Sequence, residues 1–428
     1  MESRAYLILV LYADLGPRHK MRLGVRRHLE TLEAAGVRHR VIYYNAQRGA
    51  PAWLRHFPLD ALILHTTFLC MRWAPYFRDW KRKLSWIRDL DCVKIAFPQD
   101  EYDHAHTLDE WLREWRVSVI FSIFDTAQRN YLYPSLHDRV EFHRCLTGYI
   151  DGRDAAKHRM ALRPLTERPI DLVYRATRLP YWFGSHGQLK HQIGEAVLRR
   201  AKSLGLRADV STRPEDTIVG DRWLDFLASG RAVIGCESGS SVLDREGEIR
   251  ARVDKLVKDN PGISFEELHT RMPHGWDDYR FFAVSPRHLE AIVTRTCQIL
   301  VEGSYSGVLV PERHYIPLKR NLSNLDDVLS RLRDPLKLED MVNRAYQDIY
   351  VGGQYSYQSL ARNLESVISV STETREAGTP FGSVAWRIGQ AAGAWASIWL
   401  LATRQLGSLR RARPRGAADD AAIVHPIS

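Results

Sequence analysis

The sequence predicts an α/β chain built from two Rossmann-like, doubly wound domains facing across a cleft, followed by a helical C-terminal tail. Three observations predict it. Short β-branched or aliphatic runs alternate with longer amphipathic stretches through the first 150 residues, the pattern of a parallel sheet wrapped by helices. The same alternation starts again after a segment punctuated by Gly152, Pro164 and Pro169. The chain has 428 residues, too many for one ordinary core, since domains usually hold roughly 100 to 200 residues.

In the first domain (1–150), strands are expected at 6–12, 39–44, 61–65, 93–97 and 117–123, with amphipathic helices at 20–35 and 74–88. The run at 6–12 is short and followed by Asp14 rather than a small-residue cleavage site, so it reads as a first strand and not as a signal peptide. A linker (151–169) leads to the second domain (170–355). Strands are expected there at 171–174, 207–210, 232–236, 281–284 and 298–301, with helices at 186–204, 223–229 and 286–295. Between about 244 and 280 the strand rhythm stops, and a polar helical insertion intervenes. Helices at 325–332 and 337–350 close the domain, and a return helix (356–372) crosses back to the first half.

The tail (380–428) has a different character. Residues 388–403 carry no charge, include Trp395 and Trp399, and precede Arg404, Arg410, Arg411, Arg413 and Arg415. A membrane-crossing helix needs about 20 apolar residues, so this stretch better suits an amphipathic segment lying against an anionic bilayer surface; a packed terminal helix or an oligomer contact is the alternative. The tail supplies part of the net charge of +10. That charge permits nucleic acid, lipid or phosphorylated partners, but no nucleic-acid module or single-strand platform is present. Cys70, Cys92, Cys145, Cys236 and Cys297 are scattered without metal or redox spacing and read as reduced, small apolar residues.

Chemistry concentrates at predicted strand ends, where ligands of doubly wound sheets bind. In SPRHLEAIVTRTCQILVEGSYSGVLVPERHYIPL (285–318), Pro286 and Arg287 open a helix and Glu290 follows on its first turns. A carboxylate there suits both hydroxyls of a ribose, and Arg287 offers a planar fork to phosphate. Glu302, Gly303, Ser304, Tyr305, Ser306 and Gly307 form a loop whose small residues and hydroxyls suit a pyrophosphate. In the first domain, IAFPQDEYDHAH (95–106) ends a strand with Gln99, Asp100, Glu101, Asp103, His104 and His106, a setting for acceptor binding or base chemistry. His65 and Asp14 end two further strands. Asp89 and Asp91 form a D-x-D, but they precede a strand rather than follow one.

The order of a helix with Arg-x-x-Glu-Ala, a short strand, a Gly-containing loop, HYIPL, a Ser-Asn-Leu-Asp helix start and a closing Arg-Asp-Pro helix resembles the donor-binding domain of group 1 glycosyltransferases. The resemblance spans roughly 5 to 360 and is clearest from 170 to 350. It implies a GT-B fold and a bacterial branch with a divergent donor motif. It also implies Glu290 on the donor ribose; the partner glutamate expected just upstream is missing, since AVSPRHL precedes Glu290. Glu237, in GCESGSSVLD, is then a displaced equivalent. In VYRATRLPYWFGSHGQLK (173–190) it places Arg175, Arg178 and Lys190 against the donor diphosphate, which they neutralise without a metal.

The resulting expectation is a cytoplasmic glycosyltransferase with a nucleotide-sugar co-substrate and no cofactor or metal, peripheral at the inner face of the plasma membrane if the tail docks there. Asp100, Glu101 or His65 deprotonates the acceptor hydroxyl if the reaction inverts. The acceptor is a glycan, a lipid-linked species or a small molecule, in cell-surface polysaccharide, lipopolysaccharide or glycoconjugate synthesis. The rivals are a sugar-nucleotide epimerase or polyol-phosphate transferase on the same fold, and a noncatalytic nucleotide-sugar-binding or scaffold protein at the membrane.

Overall fold

The computed structural model describes residues 5–14, 21, 23–34, 39–49, 52–152, 162–218 and 220–377. The amphipathic tail and residues 153–161 of the linker lie outside the described residues.

The first sheet is wholly parallel and consists of β1 (Leu7–Tyr12), β2 (Arg40–Asn45), β3 (Ala61–Leu64), β4 (Val93–Ala96), β5 (Val119–Ser122) and β6 (Glu141–Arg144), in the order β2-β1-β3-β4-β5-β6. Every residue of β1, β3, β4 and β5 is buried, because both faces of a parallel sheet are covered. That is why these four read as near-continuous apolar runs. The sixth strand, EFHR, is half-exposed at the sheet edge and carries no such run, which is why sequence patterning passes over it.

The second domain holds β7 (Ile170–Arg175), β8 (Ala208–Ser211), β9 (Gly230–Gly235), β10 (Ser238–Ser240), β11 (Phe281–Ala283), β12 (Cys297–Val301) and β13 (Ile316–Leu318). Five of them form a parallel sheet in the order β13-β12-β9-β7-β8. The expected strand at 281–284 does not join that sheet: β11 pairs antiparallel with β10 instead.

Two expected helices are shorter than their amphipathic pattern. Residues 74–88 divide into a helix, Phe77–Lys83, and a 3-10 turn, Ser85–Asp89. The 20–35 stretch gives Leu23–Leu29 and Thr31–Ala34, broken at Glu30.

The insertion packs on the first domain. Val242, Leu243, Val253, Leu268, Trp276 and Phe281 share one apolar core with β1 to β5. Its backbone joins in: Asp244 N–H donates to Tyr102 O at 2.8 Å, and Asp244 O accepts from Ala105 N–H at 2.9 Å. The helix Tyr357–Ala377 returns to the same core through Leu360, Leu364, Val367 and Ile368. The outgoing and returning chains run side by side, Ile150 N–H donating to Tyr355 O at 2.8 Å and Tyr357 N–H to Ile150 O at 3.1 Å. Among the described residues, no helix is long and apolar enough to cross a membrane.

Candidate functional site

Taking strands in chain order, both parallel sheets begin second-first-third, so the winding direction reverses between β1 and β3 and again between β7 and β9. Ligands of such sheets sit outside the carboxyl ends at that reversal. Here the two carboxyl edges face each other across a cavity of about 760 Å³, within the usual range for small-molecule sites. Its walls include Asp100 and Phe124 beyond β4 and β5, Arg178 beyond β7, and Glu290. A chamber of about 70 Å³ lies at the ends of β7, β9 and β12; it is lined by Lys190, Cys236, His288 and Gln298 and shares Arg287 with the larger cavity.

The second-domain wall is cationic. The Pro286–Val293 helix is started by a capping box: Arg287 N–H donates to Ser285 Oγ (3.4 Å) and Ser285 N–H to His288 Nδ1 (3.0 Å), with proline in the first turn. This fixes Arg287 and Glu290 toward the cleft. The Glu290 Oε2 accepts Trp223 Nε1–H at 2.7 Å, and the Arg287 guanidinium lies 4.9 Å from the Trp223 ring centre. Arg287 also donates to the Arg175 carbonyl at 2.8 Å.

Lys190 projects from the Gly184–Ser203 helix into the inner chamber. Its ammonium has no hydrogen bond or ion pair among the described residues, and burial pushes its pKa down. Arg178 is exposed, bonds the Tyr181 hydroxyl (2.7 Å) and faces no carboxylate among the described residues. Arg175 lines the cavity, but its guanidinium is committed to Asp209 at 2.7 Å and lies over Phe226.

The expected pyrophosphate loop is placed differently from the expectation. Glu302 and Gly303 are exposed, Tyr305 is fully buried, and none of Glu302, Gly303, Tyr305 and Ser306 lines the cavity. The cause is Glu237. Its carboxylate, 5% exposed with the rest of its residue, accepts Tyr305 N–H at 2.6 Å and Ser304 Oγ–H at 3.1 Å, drawing the loop down onto itself. Burial pushes the Glu237 carboxyl up, and the Tyr305 amide pulls it back. A side chain at Gly303 would meet that carboxylate and could enter only by displacing it. The loop pays for the arrangement in backbone strain, with Tyr305 and Ser306 both left-handed at φ 46° and 55°.

In the first domain, the three expected bases separate. Asp100 lines the cavity with φ 47°, accepts the Tyr102 hydroxyl at 2.7 Å, and is pushed up to about 6 by burial. Glu101 points the other way. It is wholly buried and accepts from the Ser122 hydroxyl (2.7 Å), Ile123 N–H (2.8 Å) and the Tyr133 hydroxyl, so its carboxylate ties β5 to the loop and does not reach the cleft. His65 is 2% exposed and does not line the cavity; it caps the Thr66–Leu69 helix and meets His28 at 3.1 Å.

Sequence reading missed three participants. Arg72, 3% exposed, sends its guanidinium to four carbonyls, Leu69 (3.0 Å), Gln99 (3.2 Å), Asp100 (2.7 Å) and Asp103 (2.8 Å), and so sets the loop that bears Asp100. A lone arginine inside the apolar run LCMRWAPY was the available signal, since a buried guanidinium must satisfy all its donors. Trp223 looked like helix-face packing, and His28 like one polar residue of an amphipathic helix. Asp89 is exposed and pairs with Arg88 (3.0 Å) before β4, at the edge away from the cleft.

No protein-family model matches the chain, and no curated protein matches it. Solved structures with a similar course of chain include HepE of Anabaena in complex with UDP-glucose, at 11% identity and TM-score 0.46, covering 85% of this chain and 100% of that one. A DNA-modifying β-glucosyltransferase follows at 9% identity and TM-score 0.47, covering 85% and 99%. The sucrose-phosphate synthase of Thermosynechococcus elongatus gives 12% identity and TM-score 0.43, covering 86% and 100%.

Proposed function

We propose that the chain is a glycosyltransferase that moves a sugar from a nucleotide-sugar donor to an acceptor hydroxyl. One observation carries the reading: the cavity at the carboxyl edges of both sheets, with the adjoining inner chamber, sets Arg178, Arg287 and Lys190, which make no ion pair among the described residues, opposite Asp100, a half-buried carboxylate of raised pKa. A nucleotide sugar needs these two walls. Its diphosphate becomes the leaving group, and Lys190, Arg287 and Arg178 meet the charge that develops there, usually the largest contribution to catalysis. Glu290, steadied by Trp223, is the contact for the donor ribose.

Asp100 takes the acceptor proton in an inverting reaction. A carboxyl pushed up to about 6 is mostly ionised at neutral pH yet basic enough to accept a proton in the transition state. The residues that Arg72 holds by their carbonyls give it a fixed position.

The test is a thermal-stabilisation panel of UDP, GDP, ADP and dTDP with their glucose conjugates, followed by acceptor-dependent release of the diphosphate. A ligand that binds only the folded chain raises the midpoint. Stabilisation by one nucleotide family, abolished in Glu290→Ala with the fold retained, is expected. Release of sugar epimer without any acceptor would assign the cleft to an epimerase.

A further inference from the structure

His28 and His65 form a buried pair at the first-domain wall. Thr67 N–H points at His65 Nδ1 at 3.3 Å, and the Thr67 hydroxyl, which accepts Ala13 N–H, stands 3.0 Å from the same nitrogen; with Nδ1 as the acceptor of both, it presents a lone pair. In a neutral ring the proton is then on Nε2. His65 Nε2 stands 3.1 Å from His28 Nδ1 and donates to it. His28 Nδ1 is therefore the acceptor, and its own proton is on Nε2.

Both rings stay neutral: burial pushes His28 down to about 4 and His65 well below the ordinary range. The His28 ring lines the cavity beside Thr66 and Gln99, and its Nε2 has no partner among the described residues. Phe97 packs edge-on against the ring at 5.5 Å, and the Thr31 hydroxyl bonds the His28 carbonyl at 2.6 Å, which holds the side chain in place. The neighbouring charge on this helix is already paired, Arg27 with Asp151 at 3.0 Å.

We propose that His28 contacts substrate, donating Nε2–H to an uncharged hydroxyl oxygen of a sugar in the cleft, with His65 as the positioning residue that sets its tautomer. This rests on the nucleotide-sugar reading. A neutral donor suits a hydroxyl rather than a phosphate, which the opposite wall serves. The sugar oxygen belongs either to the transferred sugar or to the acceptor.

Two measurements on the full chain decide it. Nitrogen-15 histidine NMR at pH 7 needs no substrate. It is expected to show His28 with an unprotonated Nδ1 and a protonated Nε2; a doubly protonated ring or the opposite tautomer overturns the proposal. The second compares UDP, GDP, ADP and dTDP with their glucose conjugates on wild type, His28→Leu, His28→Gln and His65→Leu. Affinity for the diphosphate is expected to hold within about twofold in every variant. If the transferred sugar is the partner, His28→Leu and His65→Leu weaken the glucose conjugate about tenfold relative to the diphosphate, the scale of one lost hydrogen bond to a substrate. If the acceptor is the partner, conjugate binding is unchanged and the acceptor KM rises about tenfold instead. In either case His28→Gln, whose amide N–H falls near the Nε2 position, recovers most of the loss. Unchanged constants in His28→Leu, or loss of diphosphate binding, refute the role. Failure of all four nucleotide pairs to bind wild type would sink the glycosyltransferase reading, while the NMR arm still reads the His28 tautomer.

Discussion

Replacing Lys190 with methionine is expected to move stability and binding in opposite directions. The half-buried lysine lines the inner chamber, its ammonium without a hydrogen bond or ion pair among the described residues, and desolvation lowers its pKa. Methionine keeps the length and removes the charge that burial penalises. A gain of about 1 kcal/mol in the empty protein raises the melting midpoint by about 2 to 4 °C for a domain of this size. With ligand the sign reverses. A charge-assisted bond to phosphate contributes about 1.5 to 3 kcal/mol, so the nucleotide diphosphate should bind roughly 10- to 150-fold more weakly. Scanning fluorimetry without ligand and calorimetric titration with it measure the two effects separately. The pH dependence supplies an internal check. A lysine whose folded pKa is lowered binds fewer protons folded than unfolded through the alkaline window between the two values, so wild-type stability gains there as pH rises. The advantage of the methionine variant should shrink over the same window. A Lys190→Met protein that is less stable when empty, and that binds the diphosphate within twofold of wild type, would show that the side chain serves packing.

Asp100→Asn should remove the acidic limb of the rate profile. With the carboxyl at about 6, wild-type kcat/KM is expected to fall tenfold per pH unit below that point and to level off above it, whereas the variant is slow and flat. Arg72→Lys leaves at least one of four carbonyls unserved, since an ammonium has three donors; turnover should drop at least tenfold, with diphosphate affinity retained, because the phosphate wall is untouched. Gly148→Ala puts a methyl about 2.9 Å from Pro286 Cγ, at the seam between the domains. It should cost about 1 to 3 kcal/mol by overpacking, read as a lower unfolding midpoint.

Most of the sheet framework was legible because it obeys one rule: a strand covered on both faces reads as a near-continuous apolar run. LILVLY, ALIL and VIFS satisfy it, and each is a central strand. The rule fails at edges and at short pairings. EFHR at the rim and IPL in β13 have too few buried positions to stand out, and FFA was read only as one more strand of the second domain's series, because three apolar residues specify neither partner nor direction. The second-domain wall was legible in part, because a capped helix start with Arg287 and Glu290 is a local signal. Glu101 could not be separated from Asp100 by reading. Adjacent residues in a loop point to different sides, and only the left-handed turn at Asp100 decides which one reaches the cleft. The His28 tautomer depends on Thr67, 39 positions away in sequence, through a contact that no periodicity records.

The insertion explains how two walls on separate domains hold a working distance. The loop bearing Asp100 belongs to the first domain, yet its far end is bonded to the second: Tyr102 O accepts from Asp244 N–H, and Ala105 and His106 donate to the carbonyls of Asp244 and Arg245. Arg72 fixes the near end from within the first domain. Asp100 is thus held between an anchor in its own domain, Arg72, and an anchor in the chain that carries Lys190 and Arg287. A cleft joined only by a linker would set this separation by domain closure; here three backbone bonds and the shared core of Val242, Leu243 and Phe281 set it as part of folding. The insertion is therefore a part of the site, although none of its helices supplies a proposed reacting group.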